Sequence, residues 1–499
     1  MLPGVHEGSD REVGRRPVRI RWGPTPRPAH PPYAPDVTST TMLILGASGD
    51  LAKRLLLPGL GSLVVGGDAS DLRLLDGLKV VGSGRSDRSG EWRDTVAGAF
   101  EQVGAKGEAV DAILASTEYI QADPTDADDW KALLGAVEGD LVVYFALPPA
   151  IVSKVSSVLE GLDLPEHTVL AVEKPFGDDA DSATALNEAL GKVVPEERIH
   201  RVDHFLGQRA ALAMLATRFN NRLLESSWNA DSIERVEIVY DEKLGLEGRA
   251  GYYDTAGALR DMLQSHLLQV LAVTTCEAPS HFDPEHLRNS LAAVLSVTSP
   301  WTGAPVFPNT DGPSRRARYT AGEVDGKQLP DYASEEGVDP ANETETLAEI
   351  ALQVDNARWA GVPFVLRSGK AIGDPANEIR VHYRPVRFRP DGQTGDGSAE
   401  VLRFGFKPPR IELRFTSGGG DMPFELEPVQ VTGTLPKSPV TEYGEVIRGV
   451  LGDDPTLSIR GDVAVQCWNI VQPILDAWSR GDVPLDEYPA GSSGPDGWS

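Results

Sequence analysis

Two rhythms of apolar residues divide this chain. From Thr41 to about Val172, short apolar runs alternate with stretches of helical period. Met42-Leu43-Ile44-Leu45 predicts a strand, Gly46 to Asp50 a tight turn, and Leu51 to Leu63 a helix. A strand follows at Leu78-Lys79-Val80-Val81, then a helix around Glu91 to Val103. Further strands fit Leu141 to Ala146 and Val169 to Val172. Strands separated by helices imply a parallel, doubly wound sheet.

Beyond Gly207 the rhythm changes. Helices are predicted at about Arg209 to Leu224 and Ala256 to Val273, among longer strands such as Ile233 to Tyr240 and Arg410 to Phe415. In the last of these, Ile411, Leu413 and Phe415 point one way while Glu412 and Arg414 point the other. That period of two predicts a sheet with one face in water, typically antiparallel. The expected fold is α/β: an N-terminal Rossmann-like doubly wound sheet, then a C-terminal α+β domain with a large, mainly antiparallel sheet. Residues 1–38, rich in Pro and Arg, read as a disordered extension. Residues 39–203 form the first domain and 204–485 the second. The Gly- and Ser-rich end, 486–499, reads as a flexible tail.

Charge narrows the class of partner. The 499 residues carry 47 Lys+Arg against 74 Asp+Glu, a formal charge of −27. Such a surface repels nucleic-acid backbones and anionic lipid, so neither is an expected partner. A local cationic pocket can still take a small anion. No apolar run is long enough to span a bilayer, and the N-terminus lacks the apolar core of a signal peptide, so a cytoplasmic location is expected. Cys276 and Cys467, each among apolar neighbours, read as two buried thiols without a disulfide.

The first turn carries candidate nucleotide chemistry. In Gly46-Ala47-Ser48-Gly49-Asp50-Leu51-Ala52, Gly46 permits the tight turn, and Gly49 lets backbone N–H groups approach a pyrophosphate at a helix N-terminus. Ser48, Asp50 and Leu51 complete the candidate loop. The spacing is Gly-x-x-Gly-x-x-Ala, and many Gly-rich strand–helix turns bind nothing, so the motif alone decides little. The end of the second strand adds to it. Gly82-Ser83-Gly84-Arg85-Ser86 offers Arg85 where an NAD enzyme would place an acid for the ribose 2′-hydroxyl. An arginine there suits a 2′-phosphate and favours NADP.

A second cluster lies at the change of rhythm. Arg201-Val202-Asp203-His204-Phe205-Leu206-Gly207-Gln208 packs an acid, an imidazole and two polar side chains after an apolar strand. Lys174 ends another strand in Val172-Glu173-Lys174-Pro175-Phe176-Gly177, and His266 interrupts the apolar face of Ala258 to Leu268. Strand C-terminal ends are where open α/β sheets bind ligands.

Together these blocks resemble the glucose-6-phosphate dehydrogenase family. The resemblance runs from about Met42 to Trp478. It continues through Gly248-Arg249-Ala250-Gly251-Tyr252-Tyr253-Asp254, Arg260-Asp261 and Val362-Pro363-Phe364-Val365-Leu366-Arg367-Ser368-Gly369-Lys370. It implies hydride transfer from C1 of a pyranose to NADP, giving a lactone. His266 would be the general base, a role suited to a side chain whose neutral form is available at physiological pH. Asp203 would orient it. His204 and Gln208 would stand at the substrate phosphate, Lys174 between substrate and cofactor, and Glu242, Asp261 and Lys370 at the sugar. Pro175 would follow a cis bond. A homodimer or homotetramer, joined through the large sheet, is implied as well. No metal is called for: the His and Cys residues show no ligand-like spacing beyond His281 and His286.

The chain departs from the family pattern at one place. Tyr-Leu-Gly-Lys becomes Phe205-Leu206-Gly207-Gln208, removing a hydroxyl and an ammonium from the expected phosphate pocket. Arg209, next in the chain, is a candidate replacement. Three readings stand at this point: a glucose-6-phosphate dehydrogenase with a remodelled phosphate pocket, an NADP-dependent dehydrogenase of another sugar, or a catalytically silent NADP-binding paralogue.

Overall fold

The computed structural model describes residues 39–498 except 249, 309, 419–421 and 423. The predicted extension at 1–38 lies outside the described residues. The first sheet holds β1 (Thr40–Leu45), β2 (Leu78–Gly84), β3 (Glu118–Gln121), β4 (Asp140–Phe145), β5 (Thr168–Glu173) and β6 (Ile199–Val202). They pair in parallel in the order β6-β5-β4-β1-β2-β3. Every residue of β5 is buried, as expected of a strand covered on both faces.

A short strand from far down the chain, Ser458–Ile459, pairs antiparallel with β6 and completes this sheet. Just before it, helix Glu442–Leu451 puts Val446, Ile447 and Val450 into the same core as Met42 and Ile44. Helix Leu57–Gly66 receives it closely: a Cβ on Gly59 would stand 2.8 Å from Tyr443 Cβ. The chain assigned from sequence to the second domain therefore returns, over roughly 440–459, to finish the first. Small residues make the contact possible, and their partner lies too far along the chain for any local pattern to announce it.

Among the described residues the second sheet has eleven strands. At its centre β7 (Ile233–Tyr240) pairs in parallel with Phe364–Gly369 and antiparallel with Asn377–Tyr383, and most other pairings are antiparallel. One face packs on the helices that follow β7: Leu259, Leu263 and Leu267 share a core with Ile238, Ile350 and Leu366. The other face is not simply wet. Glu412, predicted to face water, is buried, within 3.8 Å of Arg403 and 3.7 Å of Arg410. Arg367 bridges Asp241 and Glu349, while Arg380 and Arg410 both reach Glu378. Alternation correctly separated the two faces, but cross-strand ion pairing lets the polar one be covered.

Two further expectations give way. The predicted flexible tail is built into the fold: Leu485–Pro489 pairs in parallel with Ser314–Thr320, Tyr488 is buried, and the Trp498 ring lies 4.4 Å beneath the Arg315 guanidinium. Two aromatic anchors outweigh the glycines and serines around them. The helix expected over Ala256 to Val273 is also interrupted. Gly257 adopts φ 67° and ψ 175°, a π-wound segment spans Leu259–Leu267, and α-helix resumes at Leu268–Thr275. The cause is Glu345. Its carboxylate accepts the Leu259 N–H at 2.9 Å, and any Cβ at Gly257 would collide with it.

Candidate active site

β5 and β6 run in register with Glu173 opposite Val202, so Lys174 and Asp203 leave the sheet side by side at its C-terminal edge. The π-wound segment crosses this edge. There the Nδ1 of His266 stands 2.5 Å from Oδ1 of Asp203, with the residues 2% and 1% exposed. The same carboxylate oxygen accepts the Phe205 N–H at 2.9 Å, which fixes its direction. Burial pushes the Asp203 carboxyl up, but the imidazole beside it prevails and holds its pKa below the ordinary value. Asp203 is thus an ionised acceptor in a dry site, and it leaves Nε2 as the free end of the His266 ring.

The π winding matters to the geometry. Asp261 and His266 are five residues apart, which on an α-helix would separate them by about 140° around the axis. Hydrogen bonding to the fifth residue draws residues five apart toward one face. Asp261 feels both the His266 and the Lys370 charges, and its pKa falls to about 2 because those of Lys174 and Lys370 overcome its burial. Lys174 Nζ donates to Asp261 Oδ1 at 2.7 Å and to its carbonyl at 2.9 Å, and the Lys174–Pro175 bond is cis, as expected. Across the site Lys370 Nζ lies 2.6 Å from Glu242 Oε2 and 5.0 Å above the Tyr253 ring.

The residues expected at a phosphate are placed differently from one another. His204 stacks on Tyr443 with ring centres 5.3 Å apart and meets the His266 ring at 4.8 Å. Burial, with the His266 and Lys174 charges, lowers its pKa to about 3, so the imidazole is neutral. Phe205 does not point at an open anion pocket. It is buried and stacked on His266 at 4.2 Å with 13° between the planes, so this ring braces the imidazole. Gln208, 4% exposed, precedes helix Arg209–Asn220, and its own N–H is bonded to the Phe205 carbonyl. The Arg209 guanidinium, partly exposed, lies 3.7 Å from the Glu445 carboxylate, which Arg448 also holds.

At the far end of the same edge, Gly46 turns with φ 86°, and a Cβ there would lie 2.4 Å from the Ala146 carbonyl oxygen. Ser48, Gly49 and Asp50 are exposed on this turn, with Leu51 half-buried behind them. The register of β1 with β2 sets Leu45 opposite Ser83, which carries the exposed Arg85 to the side of the loop. A turn that only glycine can make, the exposed Ser48, Gly49 and Asp50 and a nearby guanidinium form a cradle that fits a phosphorylated dinucleotide.

Sequence reasoning missed the wall behind His204. Glu173 accepts from the Tyr144 hydroxyl at 2.5 Å and is faced by Tyr443. Burial raises its pKa to about 7 despite Tyr144 and Lys174. Tyr443 sits some 240 positions beyond His204 in a helix with its own apolar face, and nothing local marks it. Cys276 and Cys467 are free, buried thiols, as expected.

Comparison with known proteins covers nearly the whole described chain. Residues 43–211 match the glucose-6-phosphate dehydrogenase NAD binding domain, and residues 215–499 match the glucose-6-phosphate dehydrogenase C-terminal domain. The chain belongs to the glucose-6-phosphate dehydrogenase family. Glucose-6-phosphate 1-dehydrogenase of Gluconobacter oxydans is 35% identical over 471 residues, 91% of this chain and 94% of that one. The namesake of Treponema pallidum is 34% identical over 485 residues, 91% and 92% of the two chains. Among solved structures, a glucose-6-phosphate dehydrogenase in complex with its substrate glucose-6-phosphate superposes with a TM-score of 0.80 at 31% identity, covering 92% of this chain and 96% of that one. Membership explains the assembly of the site. Lys174 and Asp203 come from the first family domain, His266, Glu242 and Lys370 from the second. Among the described residues no helix is long and apolar enough to cross a membrane.

Proposed function

We propose that this chain oxidises glucose 6-phosphate at C1 to 6-phosphogluconolactone with NADP as acceptor, the opening step of the oxidative pentose phosphate pathway. The observation that carries this reading is the buried Asp203–His266 pair, 2.5 Å apart, at the sheet edge shared by Lys174 and Asp261. When bound, NADP supplies a nicotinamide C4 that accepts the hydride. It would rest on Gly46, Ser48, Gly49, Asp50 and Leu51, with Arg85 toward the 2′-phosphate and Lys174 toward the reacting end.

The residues of the chain handle the proton. Nε2 of His266 takes it from the C1 hydroxyl as C1–H leaves as hydride and the C1–O bond becomes a carbonyl. Asp203 holds Nδ1 and stabilises the imidazolium that forms. Lys174, paired with Asp261, and Lys370, paired with Glu242, present fixed polar atoms to the sugar hydroxyls. His204 and Gln208 stand toward the phosphate. The family resemblance supports a homodimer or homotetramer in the cytoplasm. A silent paralogue is disfavoured because the proton-transfer and sugar-gripping groups are all present and mutually oriented, and another sugar because the relatives matched over nine-tenths of the chain are glucose-6-phosphate dehydrogenases.

Steady-state assays following NADPH absorbance, with glucose 6-phosphate, free glucose and other sugar phosphates in parallel, test the reading. Preference for glucose 6-phosphate is expected. Brisk turnover of a different sugar, or silence on every sugar while NADP still binds, would overturn it.

A further inference from the structure

The phosphate pocket of this chain lacks the ammonium and the phenol found at its two family positions, while the rest of the site is intact. Among the described residues, Lys407 is a cation that can take their place. Strand Val401–Gly405 runs antiparallel to Asn377–Tyr383 with Gly405 opposite Glu378, and Asn377 is opposite Tyr240 at the end of β7. The next residue, Phe406, donates its N–H to the Asn377 carbonyl at 2.8 Å, and its ring packs on Phe205 and Tyr240 at 6.1 and 5.9 Å. This anchors Lys407, whose Nζ stands 5.6 Å from the centre of the Tyr240 ring. That ring touches Phe205 at 4.9 Å, and Phe205 meets His204 at 5.1 Å. The Tyr240 ring therefore stands between this ammonium and Phe205, itself in contact with His204.

Lys407 also differs from the other cations at this edge. Lys174 is held by Asp261 at 2.7 Å and Lys370 by Glu242 at 2.6 Å, while Arg209 lies 3.7 Å from Glu445, which Arg448 also holds. Lys407 is exposed; it stands over the Tyr240 ring, with the Glu442 and Glu242 carboxylates acting on it as charges. Its own charge reaches His204. A flexible four-carbon stem carrying a compact cation can swing from a neutral ring to an incoming dianion at small cost.

We propose that Lys407 supplies the cation that binds the phosphate monoester of the substrate, working beside the neutral His204 in place of the ammonium lost at Gln208. This rests on the sugar-phosphate reading above. A charge-assisted contact of this kind is worth about ten- to a hundredfold in affinity. Lys407→Gln should therefore raise KM for glucose 6-phosphate by that factor. The ratio of its kcat/KM to that of free glucose should fall by about as much, and Lys407→Arg should recover most of the loss. NADP titration of each variant reports that the fold is kept. A KM within twofold of the parent overturns the proposal. So does an equal fall on both sugars, which would mark a structural role. Calorimetric binding of glucose 6-phosphate to the full chain separates the two readings. Binding that depends on Lys407 without any turnover refutes the catalytic reading alone. Turnover with the same Kd in parent and variant refutes the role of Lys407 alone, and absence of binding in the parent refutes both.

Discussion

At the proton-transfer end of the site, His266 and Asp203 are almost fully buried, hydrogen-bonded at 2.5 Å and braced by a stacked phenyl ring. At the anion end, Lys407 is exposed and lies 5.6 Å from the Tyr240 ring. The two ends answer to different physics. Proton transfer depends on a nitrogen held in one direction in a dry surrounding, where misplacement costs rate steeply. Anion capture depends on charge within reach, which a long side chain can supply from more than one position. The proposed base and its carboxylate are thus supported from two domains, while the cation proposed for the phosphate, Lys407, comes from a separate loop.

The contrast can be broken most severely at the base. His266→Asn should lower kcat by about 10²–10⁴-fold while NADP binding is retained. Turnover within a factor of about ten of the parent would remove His266 from proton transfer. The wall behind His204 gives a second, smaller effect on stability. Burial raises the Glu173 pKa to about 7, above the 4.5 of an unperturbed glutamate. Between those values the folded chain binds more protons than the unfolded one, so stability falls as pH rises from about 4.5 to about 7. The span is on the order of 3 kcal/mol, and Glu173→Gln should remove it. Urea unfolding at pH 5 and pH 8 checks this, and parallel losses in parent and variant would count against it. The smallest effect sharpens the anion end. Gln208→Lys should lower KM for glucose 6-phosphate by up to roughly tenfold, restoring a charge-assisted contact. An unchanged or higher KM would mean that position 208 does not face the phosphate.

The sequence by itself determined a great deal here. Apolar runs placed β1, β2, β4 and β5, because burial on both faces requires them, but not the half-exposed edge strand β3. Gly46 announced a turn that no other residue can make, since its φ is 86° and Ala146 closes the space where a Cβ would stand. The motif blocks named His266, Asp203, Lys174, Asp261, Glu242 and Lys370, and the fold brings them together in mutual contact pairs. Three things were decided only in three dimensions. Glu345 interrupts the helix at Gly257 and helps wind Asp261 and His266 toward one face. Tyr443 and the strand Ser458–Ile459 return from the end of the chain to the first sheet. Phe205, read as a lost phosphate ligand, stacks on the His266 ring, and Lys407 comes to the Tyr240 ring beside it. The common reason is range. Periodicity and turn chemistry act within a few residues and are written locally, whereas these contacts join positions tens to hundreds of residues apart, which only the packed structure brings within a few ångströms.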